Sequence, residues 1–263
     1  MNNKIVLLAS VCLGSAGCAT YVTPGSGVSL AEIADDDLRT YYETQPSSPF
    51  PANVAIVRVQ DSGYSTGTVH GYGHGRYSVV TTRDIETEEA LDRISKLPLV
   101  SGVAPIGRLL LPPNASTLKD LRTPAAKLRA DLLLVYSVDT SFTVEGKSLG
   151  PLSAISLGFI RNKKAHVTAT VAGALIDVRT GFIYGTTEAS ATEVQHASVW
   201  STGVAIESSR LRAETDAFGQ FVTEFQGLWK GVVDVHAATQ PPSTPQVVDR
   251  DTHYRVRFEA PHD

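Results

Sequence analysis

Apolar and polar positions along this chain follow two periods, and the change from one to the other marks out the elements. NVAIVRVQ, Asn53 to Gln60, is a β-branched run of strand length, and Tyr77 to Thr81 is a second extended piece after a glycine-rich stretch. ETEEALDRISKLP sets Ala90, Leu91, Ile94 and Leu97 at helical spacing and ends at Pro98. VSGVAPIGRLLLP predicts another strand region. STLKDLRTPAAKLRAD then places Leu118, Leu121, Ala125 and Leu128 on one helical face, with Pro124 expected to kink the helix or restart it after a cap at Thr123. LLLVYSVDTSF, residues 132–142, opens as an unbroken apolar run, the pattern of a strand covered on both faces. AHVTATVAGALIDV (165–178) and FIYGTTEASATEV (182–194) flank RTG, where Gly181 can take the positive φ of a tight hairpin. Val204 to Val235 reads as one long helix, because Phe218, Phe221, Phe225, Leu228, Trp229 and Val232 recur every three or four residues. The order is βαβα, a β-meander and a closing helix. It predicts an α/β (α+β) sandwich over residues 53–236, a mixed sheet packed by two to three helices.

The flanks read differently. Residues 18–52 form a tether: TPGSG is flexible, SLAEIADDDLRTYY offers a short helix with a capping box at Ser29 and Glu32, and QPSSPFP favours extended backbone. Residues 237–263 are proline-rich and polar, and disorder is expected. The 263 residues are 42% hydrophobic and 19% charged, enough to bury a core, and the formal net charge of -4 with scattered Lys and Arg argues against nucleic-acid binding.

The N-terminus changes the picture most. MNNKIVLLASVCLGSAGC carries Lys4, an apolar stretch shorter than the ~20 residues that span a bilayer, and small residues before Cys18. SAGC, Ser15 to Cys18, resembles the lipobox of bacterial lipoproteins, with Ser15 where Leu or Val is usual. The resemblance implies that residues 1–17 are a signal peptide cut before Cys18, whose thiol and new amino group become acylated. The mature chain would then lack Cys12 and could form no internal disulfide. Ala19 and Thr20 follow, and the lack of Asp at the second position implies, by the same resemblance, the outer membrane facing the periplasm.

AAKLRADLLLVYSVDT and ATVAGALIDVRTGFIYGTTEASA also resemble the helix, strand and hairpin pattern of envelope lipoproteins related to the curli-secretion channel subunit, LpoB and the TolB N-terminal domain. This likeness spans residues 120–236 and implies fold alone. Between its two parts lies KSLGPLSAISLGFIRNKK (147–164), apolar and bounded by cations. Leu149, Leu152, Ile155, Leu157, Phe159 and Ile160 do not keep the strict alternation of a transmembrane β-strand. The bland reading is a loop folded over the sheet. The functional one is a partner or lipid contact through Leu152, Ile155, Leu157 and Phe159.

Candidate chemistry is sparse. In HGYGHGR, His70 and His74 are four apart, but the glycines oppose a helix that would aim both at a metal, so a mobile surface loop is expected. Gly146, Lys147 and Ser148 resemble the end of a phosphate loop, but Ser141 replaces its first glycine and Pro151 follows where a helix should start. No G-x-S-x-G, H-E-x-x-H or C-x-x-C occurs. The expectation is therefore an enzymatically inactive binding or assembly factor without cofactor or metal, held to the membrane through acylated Cys18 and engaging an envelope protein. The alternative is an oligomeric secretion-channel-like subunit.

Overall fold

A computed structural model of the chain describes residues 20–21, 42–144, 147–148, 155–156, 164–196 and 203–237. The first strand, β1 (Thr20–Tyr21), lies outside the main sheet. The sheet is built on β2 (Ala52–Asp61), whose outer edge is shared: its first half pairs in parallel with β4 (Val100–Pro105), its second half antiparallel with β3 (Tyr77–Val80). On its other side β2 pairs in parallel with β5 (Leu132–Val144), with Val54 opposite Leu132. Next come β8 (Lys164–Asp177) and β9 (Ile183–His196), both antiparallel. β6 (Lys147–Ser148) folds back on the far end of β5, and β7 (Ile155–Ser156) pairs with β1. Among the described residues the main sheet has seven strands. It is mixed, as the apolar patterning predicts.

Helices cover both faces. α1 (Glu88–Ser95) is capped by Thr87, whose hydroxyl accepts from the Ala90 N–H at 3.2 Å. It shares one face with α3 (Gly203–His236), whose Ala217, Phe218, Phe221, Phe225 and Trp229 pack on Val54, Leu134, Val138, Val167 and Val171. α2 (Leu118–Lys127) lies on the other face, where Leu121 and Ala125 meet Ala55, Val57, Leu133, Val135 and Ile176. Pro124 does not restart α2. The helix begins at a cap in which Asp120 accepts from the Thr117 N–H at 2.9 Å, and Thr123 instead donates to the Lys119 carbonyl within the helix. Burial of Pro124 against this second core offsets the hydrogen bond its ring removes.

Two expectations about loops are corrected. Packing on the domain begins before Asn53: Ser48 and Phe50 are buried, the Ser47 and Ser48 N–H groups donate to Asp177, and the Phe50 ring meets Trp229 edge-on. The glycine-rich stretch is tied down where a mobile loop was expected. Tyr72 exchanges backbone hydrogen bonds with Val79, and the His74 N–H donates to the Pro113 carbonyl. A Cβ at Gly75 would fall 1.8 Å from the Ala115 carbonyl oxygen, so only glycine lets the two backbones meet.

Candidate functional site

Beneath the N-terminal half of α3 lies a cluster of buried charge. β2 puts Arg58 and Gln60 on the same face as Val54 and Ile56, under α3. The helix turns Glu207, Arg210 and Glu214 inward at spacings of three and four, along the stripe that its phenylalanines continue. The segment after β3 adds Asp84 and Glu86, the glycine-rich loop adds Tyr64 and Thr68, and β5 adds Tyr136 and Thr140.

The contacts are mutual. Arg58 donates to Asp84 at 2.9 Å and to the Tyr64 hydroxyl at 3.0 Å, and lies 3.5 Å from Glu214. Arg210 bridges Glu207 at 2.7 and 3.1 Å, pairs with Glu214, and reaches Asp84 at 3.5 Å. Thr140 donates to Glu214 at 2.6 Å, Thr68 to Glu207 at 2.8 Å, and Tyr136 to Glu86. The Arg58, Arg210 and Glu214 side chains are at most 1% exposed.

Burial and pairing shift the titration of Arg58, Tyr64, Glu86, Tyr136 and Arg210. Desolvation raises Glu86 against the opposing pull of Arg58 and the Tyr136 hydroxyl, so this carboxyl keeps its proton above the ordinary carboxylate range. Desolvation alone would lower both arginines, but Tyr64 with Glu214, Asp84 and Glu86 outweighs it at Arg58, and Glu207 with Glu214 at Arg210, so both are raised. Burial likewise pushes the Tyr64 hydroxyl up to about 12. The guanidiniums of Arg58 and Arg210 face the carboxyl groups of Asp84, Glu207 and Glu214, with Glu86 beside Arg58. A cavity of about 30 Å³, lined in part by Ile56, Arg58, Glu86, Leu91 and Tyr136, adjoins the cluster. That is the space of one water molecule, too small for a substrate. Arg58 Nε and Gln60 Oε1 are buried without a protein partner. This arrangement ties α3 and the glycine-rich loop to the sheet.

A second feature is open. α2 covers its face of the sheet only as far as Val135 and Ala174. Beyond them the same face carries Ser137, Asp139 and Ser141 of β5, Thr168 and Thr170 of β8, and Ser190 and Thr192 of β9, half-buried or exposed. Hydroxyls pair across the strands, Thr168 with Thr192 at 2.9 Å and Thr170 with Ser190 at 2.7 Å. β9 ends the sheet, and among the described residues no strand pairs with its outer edge.

Cys18, Leu152, Leu157 and Phe159 lie outside the described residues. Ile155 falls in β7, its backbone opposite Tyr21. His70 does not share a site with His74: its Nδ1 lies 2.9 Å from the Ser65 hydroxyl, while His74 is tied through its backbone to Pro113. Lys147 and Ser148, weighed as the end of a phosphate loop, form β6. The cluster residues escaped sequence reasoning. Their signal was present in Arg58, a charge inside an apolar run, and in Glu207, Arg210 and Glu214, which extend the apolar stripe of α3.

No family model matches the sequence, and no curated protein matches it. Among solved structures the chain is similar to the PelC dodecamer from Paraburkholderia phytofirmans, at 10% identity over 70% of this chain and 94% of that one, TM-score 0.30. It is also similar to a candidate lipoprotein from Caulobacter crescentus CB15 (11% identity, 45% and 86% covered, TM-score 0.25). A third is protein XCC0632 from Xanthomonas campestris (10% identity, 72% and 93% covered, TM-score 0.29). At such TM-scores these likenesses carry no argument.

Proposed function

We propose that the protein is an outer-membrane lipoprotein of the bacterial cell envelope, acylated on Cys18 and facing the periplasm, whose domain binds another envelope component and performs no chemistry itself. The observation that supports this best is the half of the β5–β8–β9 ribbon that the described residues leave uncovered. Among those residues its hydroxyl-bearing face is open, and the edge of β9 offers main-chain donors and acceptors to an added strand. The buried charged groups are instead locked in a mutual network, and the described cavity beside it holds about 30 Å³. The lipobox-like SAGC supplies the anchor.

The test is photo-crosslinking in cells from Ser190 and Thr192, with a Cys18→Ser strain as the unanchored control and fatty-acid labelling of both strains. The expected result is an acyl label that depends on Cys18, with crosslinks to a distinct envelope protein that vanish in the control. A ladder of self-crosslinks would assign the oligomeric, channel-like reading instead. Unlabelled protein, or intramolecular products alone, would overturn the proposal.

A further inference from the structure

The turn that precedes α2 holds one leucine entirely out in solvent. Arg108–Leu110 form a 3-10 turn, closed by bonds from the Leu110 N–H to the Gly107 carbonyl at 3.1 Å and from the Leu111 N–H to the Arg108 carbonyl at 3.2 Å. Ile106 and Leu111 on either side are buried in the second core, and the Arg108 guanidinium lies 4.5 Å from the centre of the Tyr72 ring. These contacts fix the turn, and Leu109 at its tip is 101% exposed.

Single exposed leucines are ordinary on protein surfaces, but this one stands on the rim of a groove. The groove holds about 350 Å³ and runs between residues 109–112 and α2, which lines it with Asp120, Thr123, Pro124 and Lys127. Positions three, four and seven apart make one stripe of a helix. Leu111 and Pro124, both buried, give the groove an apolar lining. Its volume is at the lower end for a small-molecule site, and it suits an inserted apolar side chain better.

The two ends of the stripe carry opposite charge. Asp120 lies in the first turn of α2 and the exposed Lys127 in the last. The cap bonds that Asp120 accepts, from the Ser116 and Thr117 N–H groups and the Thr117 hydroxyl, all end on Oδ2, which leaves Oδ1 for an incoming cation. A two-fold axis beside Leu109 reverses the direction of the stripe. It brings the leucine of each copy to the groove of the other and each Lys127 toward the other copy's Asp120. Knob, groove and both charges share one face, so the surface is complementary to itself.

We infer that the 109–112 turn and the facing stripe of α2 form a two-fold contact with a second copy of this chain, in which Leu109 of each copy fills the groove of the other. Such a contact closes on itself, so it makes a dimer and no larger assembly.

The test uses the full chain in cells, with a photo-crosslinker in place of Thr123 and, separately, of Leu109. A single product of twice the chain's mass is expected from each, and peptide mapping should join position 109 to the 120–127 stripe. Two differently tagged copies in one cell should both appear in that product. Burying one leucine from each copy strengthens pairing by roughly a hundredfold or more, so Leu109→Asp should abolish the dimer formed from position 123. Lys127→Asp, which sets like charges together, should lower the dimer yield by a smaller factor. Because Leu109 is exposed, urea unfolding of Leu109→Asp should match that of the native chain, so the lost dimer reports the contact and not the fold. A dimer that persists in Leu109→Asp, a ladder of higher products, crosslinks to a different protein, or monomer alone would each overturn the proposal.

Discussion

The two halves of α3 bury the same face by opposite means. Toward its C-terminus, Phe218, Phe221, Phe225 and Trp229 stack in succession at centroid distances of 6.0 to 6.4 Å, and the indole N–H of Trp229 donates to the Pro98 carbonyl at 2.8 Å. Toward its N-terminus the same stripe carries Glu207, Arg210 and Glu214, each partnered in the network around Arg58. Apolar burial is non-directional and tolerates small adjustments of the helix. Buried charges demand specific partners, because an unpaired one costs several kcal/mol. The aromatic half thus supplies cohesion, while the charged half fixes the register of α3 and the glycine-rich loop on the sheet.

Truncation of either half separates the two mechanisms. Phe221→Ala should cost about 3–5 kcal/mol in urea unfolding, with little dependence on pH. Arg210→Ala should cost a similar ~3–5 kcal/mol at neutral pH, since Glu207 and Glu214 lose their cation. Urea unfolding of the two variants side by side checks the contrast. Replacing Arg210 with Met together with Glu207 and Glu214 with Leu should recover stability to within about 1–2 kcal/mol of the native chain. A large loss in that triple variant would show that the charges stabilise beyond their mutual pairing.

A smaller effect is expected at the far end of the sheet. Burial would raise Asp177, but N–H groups of Ser47, Thr180 and Arg179 and the Ser48 hydroxyl outweigh it and hold the carboxyl below its ordinary range. Asp177→Ala should cost about 2–3 kcal/mol and raise amide exchange at Ser47 and Ser48. Because the folded pKa is depressed, the stabilisation is present above the ordinary aspartate value and lost as pH falls through the folded one. The variant should lack that acid-dependent loss. Smallest of all, Lys230→Ala removes an exposed pair with Asp234 and should change stability by less than about 0.5 kcal/mol.

How much of this was legible follows from the same contrast. The stripe from Phe218 to Val232 announced a helix lying on a sheet, and the alternation of Val167, Ala169 and Val171 with threonines announced a strand with one packed face. Arg210 and Glu214 carried no such announcement, because a single sequence does not reveal that Arg58 and Asp84 arrive from β2 and the segment after β3 to meet them. The glycine loop was misread for a related reason. Its glycines suggest mobility locally, whereas contact with Ala115, some forty residues on, makes the smallest residue necessary.

Local periodicity and turn chemistry by themselves determined the elements, their order, the hairpin at Gly181 and the mixed α/β class, since these depend on neighbours a few residues apart. The SAGC pattern likewise carried the proposed anchor without help from the fold. Only the tertiary structure decided the buried ion network, the docking of Ser47 to Phe50, the cross-strand hydroxyl pairs of the ribbon and the pairing of β1 with β7. Each of these is a contact between distant segments, and its energy depends on whether a partner of matching charge or shape is delivered to the same place.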